Sequence, residues 1–136
     1  MTPLGTDRYI LQCIFNMYLR DYPGPREPGG RGANDPYIAI DIHALAHRMK
    51  CSPELLFGRL YYHLDQKHRY KRESGAVVSL FTLQAGEKRH AVNFPFLAAI
   101  LAEKNQEFRR HVLALAISFL ALGVSTASLL LSFAKG

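Results

Sequence analysis

The chain has 136 residues, of which 49% are hydrophobic, and a formal net charge of +6. This length suits one ordinary domain with its own core, which argues against a large multidomain enzyme. Two cysteines without a CxxC spacing argue against a disulfide scaffold and a thiolate metal site, so we expect Cys13 and Cys51 to be buried as small hydrophobes.

The first predicted element is a helix from Asp7 to Tyr22 with Thr6 as its N-cap. Four of its apolar residues lie at helical spacing and form a core-facing stripe: Ile10, Cys13, Ile14 and Met17. Residues 23–36 contain four prolines and four glycines, a composition that excludes regular structure. We interpret this segment as a flexible surface loop.

The middle of the chain predicts a strand, two helices and a hairpin. Asp41 and Ser52 are expected N-caps, and Pro53 suits the first position of a helix. The expected elements are a strand at 37–40, helices at 42–50 and 53–68, and strands at 77–83 and 89–94 joined by a turn at Gly86.

The C-terminal part predicts a membrane anchor. Val112–Ala134 is a run of 23 residues without a charge. A helix of this length is about 34 Å long, enough for a hydrocarbon core of about 30 Å. Arg109 and Arg110 precede the run and only Lys135 follows it, so the positive-inside rule predicts a single-pass protein with residues 1–111 in the cytoplasm, at a bacterial inner membrane.

Small residues recur along this anchor at spacings of 4, 3, 4, 3 and 4. Such a seam allows close helix approach and predicts a homo-oligomer formed through the membrane helix. Alternatively, the seam packs on another membrane protein or has no role. The seam residues are Ala114, Ser118, Ala121, Ser125, Ser128 and Ser132.

The order helix, strand, helix, turn, helix, hairpin resembles the winged helix-turn-helix family over residues 7–94. Leu45 and Ala46 resemble the positioning helix, Cys51-Ser52-Pro53 the turn, and Leu56 and Leu60 the recognition helix. The next inner leucine, Leu64, stands one residue later than is usual in the family. The predicted class is therefore mainly α with a small β-hairpin (α+β): a winged-helix-like domain at 1–94, a juxtamembrane helix at 95–111 and a transmembrane helix at 112–134.

The resemblance implies a membrane-tethered DNA-binding regulator, because in this family the third helix enters the major groove and the wing contacts phosphates. Residues 48–72 carry seven basic and two acidic side chains. Arg59 could bond a guanine edge, and the other cations could hold phosphates. The candidate nucleic-acid residues are Lys50, Arg59, Lys67, Arg69, Lys71, Arg72, Lys88 and Arg89.

The same face of the third helix is unusually apolar, which favours a protein partner over base edges. The alternative function is thus a membrane-anchored adaptor, with Leu55, Phe57, Tyr61 and Tyr62 as its protein interface. Two further alternatives stay open: the aromatic residues pack beneath the wing or the long loop, or the basic face lies on anionic lipid headgroups.

No pattern predicts catalysis, a metal or a cofactor. His43 and His47 are four apart, but no HExxH or CxxC motif accompanies them. The glycine-rich segment lacks the lysine-serine ending of a phosphate loop. We therefore expect neither an enzyme nor a metal protein.

Overall fold

The computed structural model describes residues 4–22 and 36–136. The predicted flexible loop, apart from Pro36, lies outside the described residues. The chain divides into two compact units, Met1–Leu101 and Ala102–Gly136. The described residues are mainly helical with a small antiparallel sheet and one long apolar C-terminal helix, which confirms the expected α+β class at this level.

Helix α1 spans Asp7–Tyr18 and continues as a 3₁₀ turn over Leu19–Asp21. The predicted N-cap is confirmed, because Thr6 Oγ1 accepts a hydrogen bond from the Tyr9 N–H at 3.2 Å. The last turn tightens, since Tyr22 N–H donates to the Leu19 carbonyl three residues back.

Helix α2 spans Ile42–Met49 and begins at the predicted cap, where Asp41 Oδ1 accepts from Ala44 N–H at 3.0 Å. Lys50 ends the helix in the left-handed conformation at φ 56°. Cys51 N–H then bonds to the Ala46 carbonyl, which satisfies a carbonyl of the last turn.

The third helix is built from three consecutive segments: α-helical Pro53–Gly58, π-helical Arg59–Leu64 and α-helical Asp65–His68. Its inner leucines, Leu56, Leu60 and Leu64, are fully buried at a spacing of four. Four residues overshoot an α-helical turn by about 40°, so such a stripe drifts around a regular helix. The wider π turn offsets this drift and keeps Leu64 on the inner face of the helix.

The main sheet has the strand order β1-β5-β4 and is antiparallel, with β1 at Tyr37–Ala39, β4 at Phe81–Ala85 and β5 at Lys88–Asn93. β1 pairs with β5 in the register Tyr37 to Asn93, and β4 and β5 form the predicted hairpin with Gly86 at φ 63° in its turn.

The predicted single strand at 77–83 is wrong, because the structure has two separate strands there, β3 and β4. Strand β3, Val77–Val78, pairs instead with β2, Tyr70–Lys71, in a separate two-stranded sheet. The strand is interrupted between β3 and β4, where the N–H groups of Leu80 and Phe81 both donate to the Asp65 carboxylate.

The core of the first unit connects α1 to the other elements. Phe15 of α1 and Tyr22, which follows the 3₁₀ turn, stack on Phe94 with ring centroids 5.3 and 5.0 Å apart, so this part of the chain packs on the start of the C-terminal helix. Fully or nearly fully buried core residues are Ile10, Leu11, Ile14, Leu45, Ala46, Leu56, Leu60, Leu64, Leu80, Phe81, Val92, Leu97 and Leu101.

The C-terminal helix spans Phe94–Lys135 and is long and apolar enough to be a candidate membrane span. Its apolar residues beyond position 111 are exposed within the second unit. The small-residue seam lies along one face of this helix. Its Ser118 hydroxyl donates to the Ala114 carbonyl at 2.9 Å.

Candidate functional site

Three of the predicted nucleic-acid cations, two on the third helix and one directly after it, form ion pairs within the chain. Arg59 donates to Asp7 Oδ1, and Lys67 Nζ lies 2.9 Å from Asp7 Oδ2. Burial raises the pKa of Asp7, but the hydrogen bonds and charges of Arg59 and Lys67 outweigh burial and lower that pKa to about 2. The carboxylate at the start of α1 therefore neutralises much of this flank of the third helix.

The third cation, Arg69, pairs with Asp65, which is only 1% exposed. Asp65 Oδ1 also accepts from Leu80 N–H at 2.8 Å and from Phe81 N–H at 3.1 Å. This carboxylate links the end of the third helix to the start of β4. Arg69, which pairs with it, therefore stabilises this link as well as adding charge to the surface.

The remaining predicted cations are spread over four elements. Lys88 Nζ donates to the Tyr37 carbonyl at 2.8 Å and so joins β5 to β1, while Lys50 ends α2. Within the described residues, the exposed side chains of Lys71, Arg72 and Arg89 make no hydrogen bond or ion pair. Among the described residues, the predicted cations without a hydrogen bond or ion pair therefore lie on β2, in the turn after it and on β5, rather than on the third helix.

The predicted interface residues fall into two groups. Leu55 is 52% and Tyr62 77% exposed, so both offer apolar surface to solvent. Phe57 and Tyr61 are half-buried against the core, with their ring centroids 4.6 Å apart. Phe57 and Tyr61 therefore pack beside the β4–β5 hairpin, where Phe57 meets the His90 ring and Tyr61 bonds to the Thr82 carbonyl.

Tyr61 fixes the hairpin beside the third helix. Its hydroxyl donates to the Thr82 carbonyl at 3.2 Å and lies 3.0 Å from His90 Nδ1. Burial, assisted by the charge of Asp65, raises the pKa of Tyr61 to about 12, so the phenol stays neutral. His90 adopts φ 51°, a left-handed conformation that is uncommon for residues other than glycine, and its carbonyl accepts a hydrogen bond from Ile40 N–H at 2.8 Å.

A pocket of about 530 Å³ opens between the starts of α2 and the third helix and the middle of β5. This volume lies in the range of ligand pockets. Apolar side chains supply much of its wall and polar side chains surround them. The pocket is lined by Ile40, Asp41, Ile42, His43, Pro53, Glu54, Phe57, Arg89 and His90.

Of these lining residues, only Phe57 and Arg89 belong to the predicted protein-interface and nucleic-acid sets. The other lining residues come from three separate elements, and no spacing in the sequence predicts that these elements lie next to one another. The left-handed conformation of His90 also has no sequence signal, because histidine, unlike glycine, does not mark such a position.

Other candidate groups lie apart from this pocket. His43 and His47 are both exposed on α2. Among the described residues, no three His, Cys, Asp or Glu side chains cluster as a metal site would require. Cys13 and Cys51 are free and half-buried against the core, and burial raises the pKa of the Cys51 thiol.

No protein-family model, curated protein or solved structure matches this chain.

Proposed function

We propose that this chain is a membrane-anchored adaptor whose first unit is a winged-helix-like module that binds a protein partner. The structure contains α1, β1, α2, the third helix and the β4–β5 hairpin in that chain order. This order is the feature that resembles the winged helix-turn-helix family. Pairing of β1 with the second hairpin strand adds a compact sheet beside the three helices.

The distribution of charge and apolar surface on the third helix carries the choice of a protein partner. Arg59, Lys67 and Arg69 are paired with carboxylates of the same chain, whereas Leu55 and Tyr62 are more than half exposed. Exposed aromatic and aliphatic side chains beside a pocket are typical of the anchoring part of a protein interface. A DNA-reading helix would instead present unpaired cations and hydrogen-bonding side chains there.

The C-terminal helix supports location at a membrane. It contains the uncharged run Val112–Ala134, with Arg109 and Arg110 before it. The positive-inside rule then favours a cytoplasmic first unit, which would recruit its partner to the inner face of the membrane.

Site-specific photo-crosslinking in membranes tests the adaptor function. A photoreactive phenylalanine analogue is placed at Tyr62 of the full chain and, as a matched control, at Tyr9, an exposed tyrosine of α1. We expect a discrete protein adduct from position 62, little from position 9, and loss of the adduct in Leu55→Asp. Equal labelling at both positions, or none at position 62, would contradict the adaptor function.

DNA binding is the second candidate, favoured by the exposed cations Lys71, Arg72 and Arg89. Phosphate contacts make the affinity for DNA fall steeply as the salt concentration rises. Each lost contact reduces the slope of log affinity against log salt concentration by about one. Lys71→Ala with Arg72→Ala should therefore flatten it by about two in a DNA titration of the full chain in neutral nanodiscs. Failure to bind DNA even at low salt would remove this candidate.

A further inference from the structure

Part of the lining of the 530 Å³ pocket is apolar. Ile40 and Ile42 are nearly fully buried, and Phe57 is half-buried. The ring of Phe57 also meets the His90 ring edge-on, with centroids 6.1 Å apart. An aromatic or large aliphatic group that enters the pocket would leave water against these side chains, so a ligand with such a group fits this part of the lining.

The lining also carries charges of both signs. Asp41 at the start of α2 and Glu54 in the first turn of the third helix supply two carboxylates, and Arg89 of β5 supplies one guanidinium. All three residues are exposed, so a ligand can reach each of them. His43 and His90 add two imidazole rings, which can donate or accept hydrogen bonds.

These opposite charges do not pair with one another. Among the described residues, the side chains of Glu54 and Arg89 make no hydrogen bond or ion pair, and Asp41 uses Oδ1 to accept the Ala44 N–H at 3.0 Å. A purely anionic ligand would lie beside two carboxylates, and a purely cationic ligand would lie beside the guanidinium. Because like charges placed side by side weaken binding, the lining favours a ligand that carries both signs.

We propose that this pocket binds a free α-amino acid with a large apolar side chain, whose carboxylate pairs with Arg89 and whose ammonium is shared by Asp41 and Glu54. An ammonium has three N–H donors, so one such group can serve two carboxylates. The guanidinium binds the ligand carboxylate with directed hydrogen bonds. One zwitterion thus matches two acids and one arginine, and its apolar side chain covers the apolar part of the lining. This site goes beyond the adaptor function and requires no partner protein.

Saturation-transfer NMR titrations of the full chain in neutral nanodiscs test the assignment, with L-phenylalanine as the probe and empty nanodiscs as the background. L-phenylalaninamide lacks the carboxylate, N-acetyl-L-phenylalanine lacks the ammonium, and L-alanine keeps both charges but lacks the ring. The titrations are run at pH 6.5, where the amide is still protonated, because such an α-amino group has an ordinary pKa of about 7.7–8.0.

We expect L-phenylalanine to bind most tightly of the four compounds. Each analogue that lacks one charge should bind about fivefold more weakly, which corresponds to about 1 kcal/mol for one exposed ion pair. L-alanine should bind at least about tenfold more weakly, because it leaves the apolar lining in water.

Two variants connect each ligand charge to its residue. Arg89→Gln should abolish the advantage of L-phenylalanine over its amide. Glu54→Gln should reduce the advantage over the N-acetyl compound to about twofold and leave the advantage over the amide. Arg72→Gln and Glu73→Gln remove exposed charges that do not line the pocket, so both controls should leave the four affinities within about twofold.

The assignment would be overturned if L-phenylalanine showed no saturable binding above empty nanodiscs, or if Arg89→Gln kept the original selectivity. Binding of the amide or of the N-acetyl compound as tightly as L-phenylalanine would indicate a site for one charge only and would also overturn it. Failure of this site is distinguishable from failure of the adaptor function, because the titration contains no partner protein and the crosslink from Tyr62 requires no amino acid.

Discussion

Asp65 shows how a single buried carboxylate can hold a helix to a hairpin. It accepts two backbone N–H groups of the strand entry and pairs with Arg69. Asp65→Asn removes the charge. If the amide oxygen keeps accepting the Leu80 and Phe81 N–H groups, its NH2 group replaces the oxygen that pairs with Arg69, so Arg69 loses its acceptor. We expect the free energy of unfolding to fall by about 2 kcal/mol, measured by denaturant titration of the full chain in nanodiscs.

Asp21→Asn is the matched control for this change, because Asp21 is an exposed acid in the 3₁₀ turn after α1. It should change the free energy of unfolding by less than about 0.5 kcal/mol. Similar losses from both variants would contradict the structural role of Asp65.

Asp7 makes the stability depend on acid pH. Its folded pKa of about 2 lies below the ordinary value of 3.8, so the folded state holds the ionised form more strongly than the unfolded state does. The stabilisation is present above about pH 4 and is lost as the pH falls toward 2. Because Arg59 and Lys67 reach the surface, we expect a contribution of only about 1 kcal/mol.

Comparison of unfolding curves at pH 5, 4, 3 and 2.5 for the unaltered chain and for Asp7→Asn tests this dependence. The difference in the free energy of unfolding between the two should shrink across this range. A constant difference would show that Asp7 does not act through its ionisation.

At the scale of elements, local chemistry predicted where helices begin but not what they contact. The caps at Thr6 and Asp41 depend on side chains three residues or fewer from the N–H they bind, so the sequence reveals them. Asp7 lies 52 residues from Arg59, and no spacing rule connects them.

The third helix and the hairpin show the same limit. The π segment follows from where Leu64 must pack, which depends on the core and not on helix propensity. The pairing of β3 with β2, rather than with β5, likewise follows from the position of Asp65. The positions of the helices and of the β4–β5 hairpin were therefore predictable, whereas the π segment, the pairing of β3 with β2 and the pocket were not.

The C-terminal helix, a candidate membrane span, allows a test of the self-association predicted from the sequence. Ser125→Leu with Ser128→Leu keeps the segment apolar but blocks close approach along the small-residue seam. We expect loss of the dimer signal in a bilayer reporter with unchanged insertion. Leu120→Ala with Leu130→Ala, at helix positions well away from the seam, is the control and should leave the dimer intact. An undiminished signal from the serine variant would remove the seam as a contact.

At the scale of the whole molecule, the proposed adaptor function depends on which side of a membrane the first unit occupies, and the basic residues beside the candidate span predict that side. Arg109 and Arg110 precede the uncharged run and Lys135 follows it, a bias of two to one before His111 is counted. An adaptor that serves cytoplasmic proteins requires the orientation that this bias favours.

Protease protection tests that orientation. The exposed pair Lys71 and Arg72 borders a turn in the first unit and offers trypsin a cleavage site. Trypsin added outside sealed right-side-out vesicles should leave residues 1–111 intact, and permeabilisation should permit cleavage at this pair.

Arg109→Glu with Arg110→Glu removes the basic flank, so part of that population should insert the other way and be cut in sealed vesicles. Cleavage of the unaltered chain in sealed vesicles would place the pocket outside the cell and exclude a cytoplasmic partner.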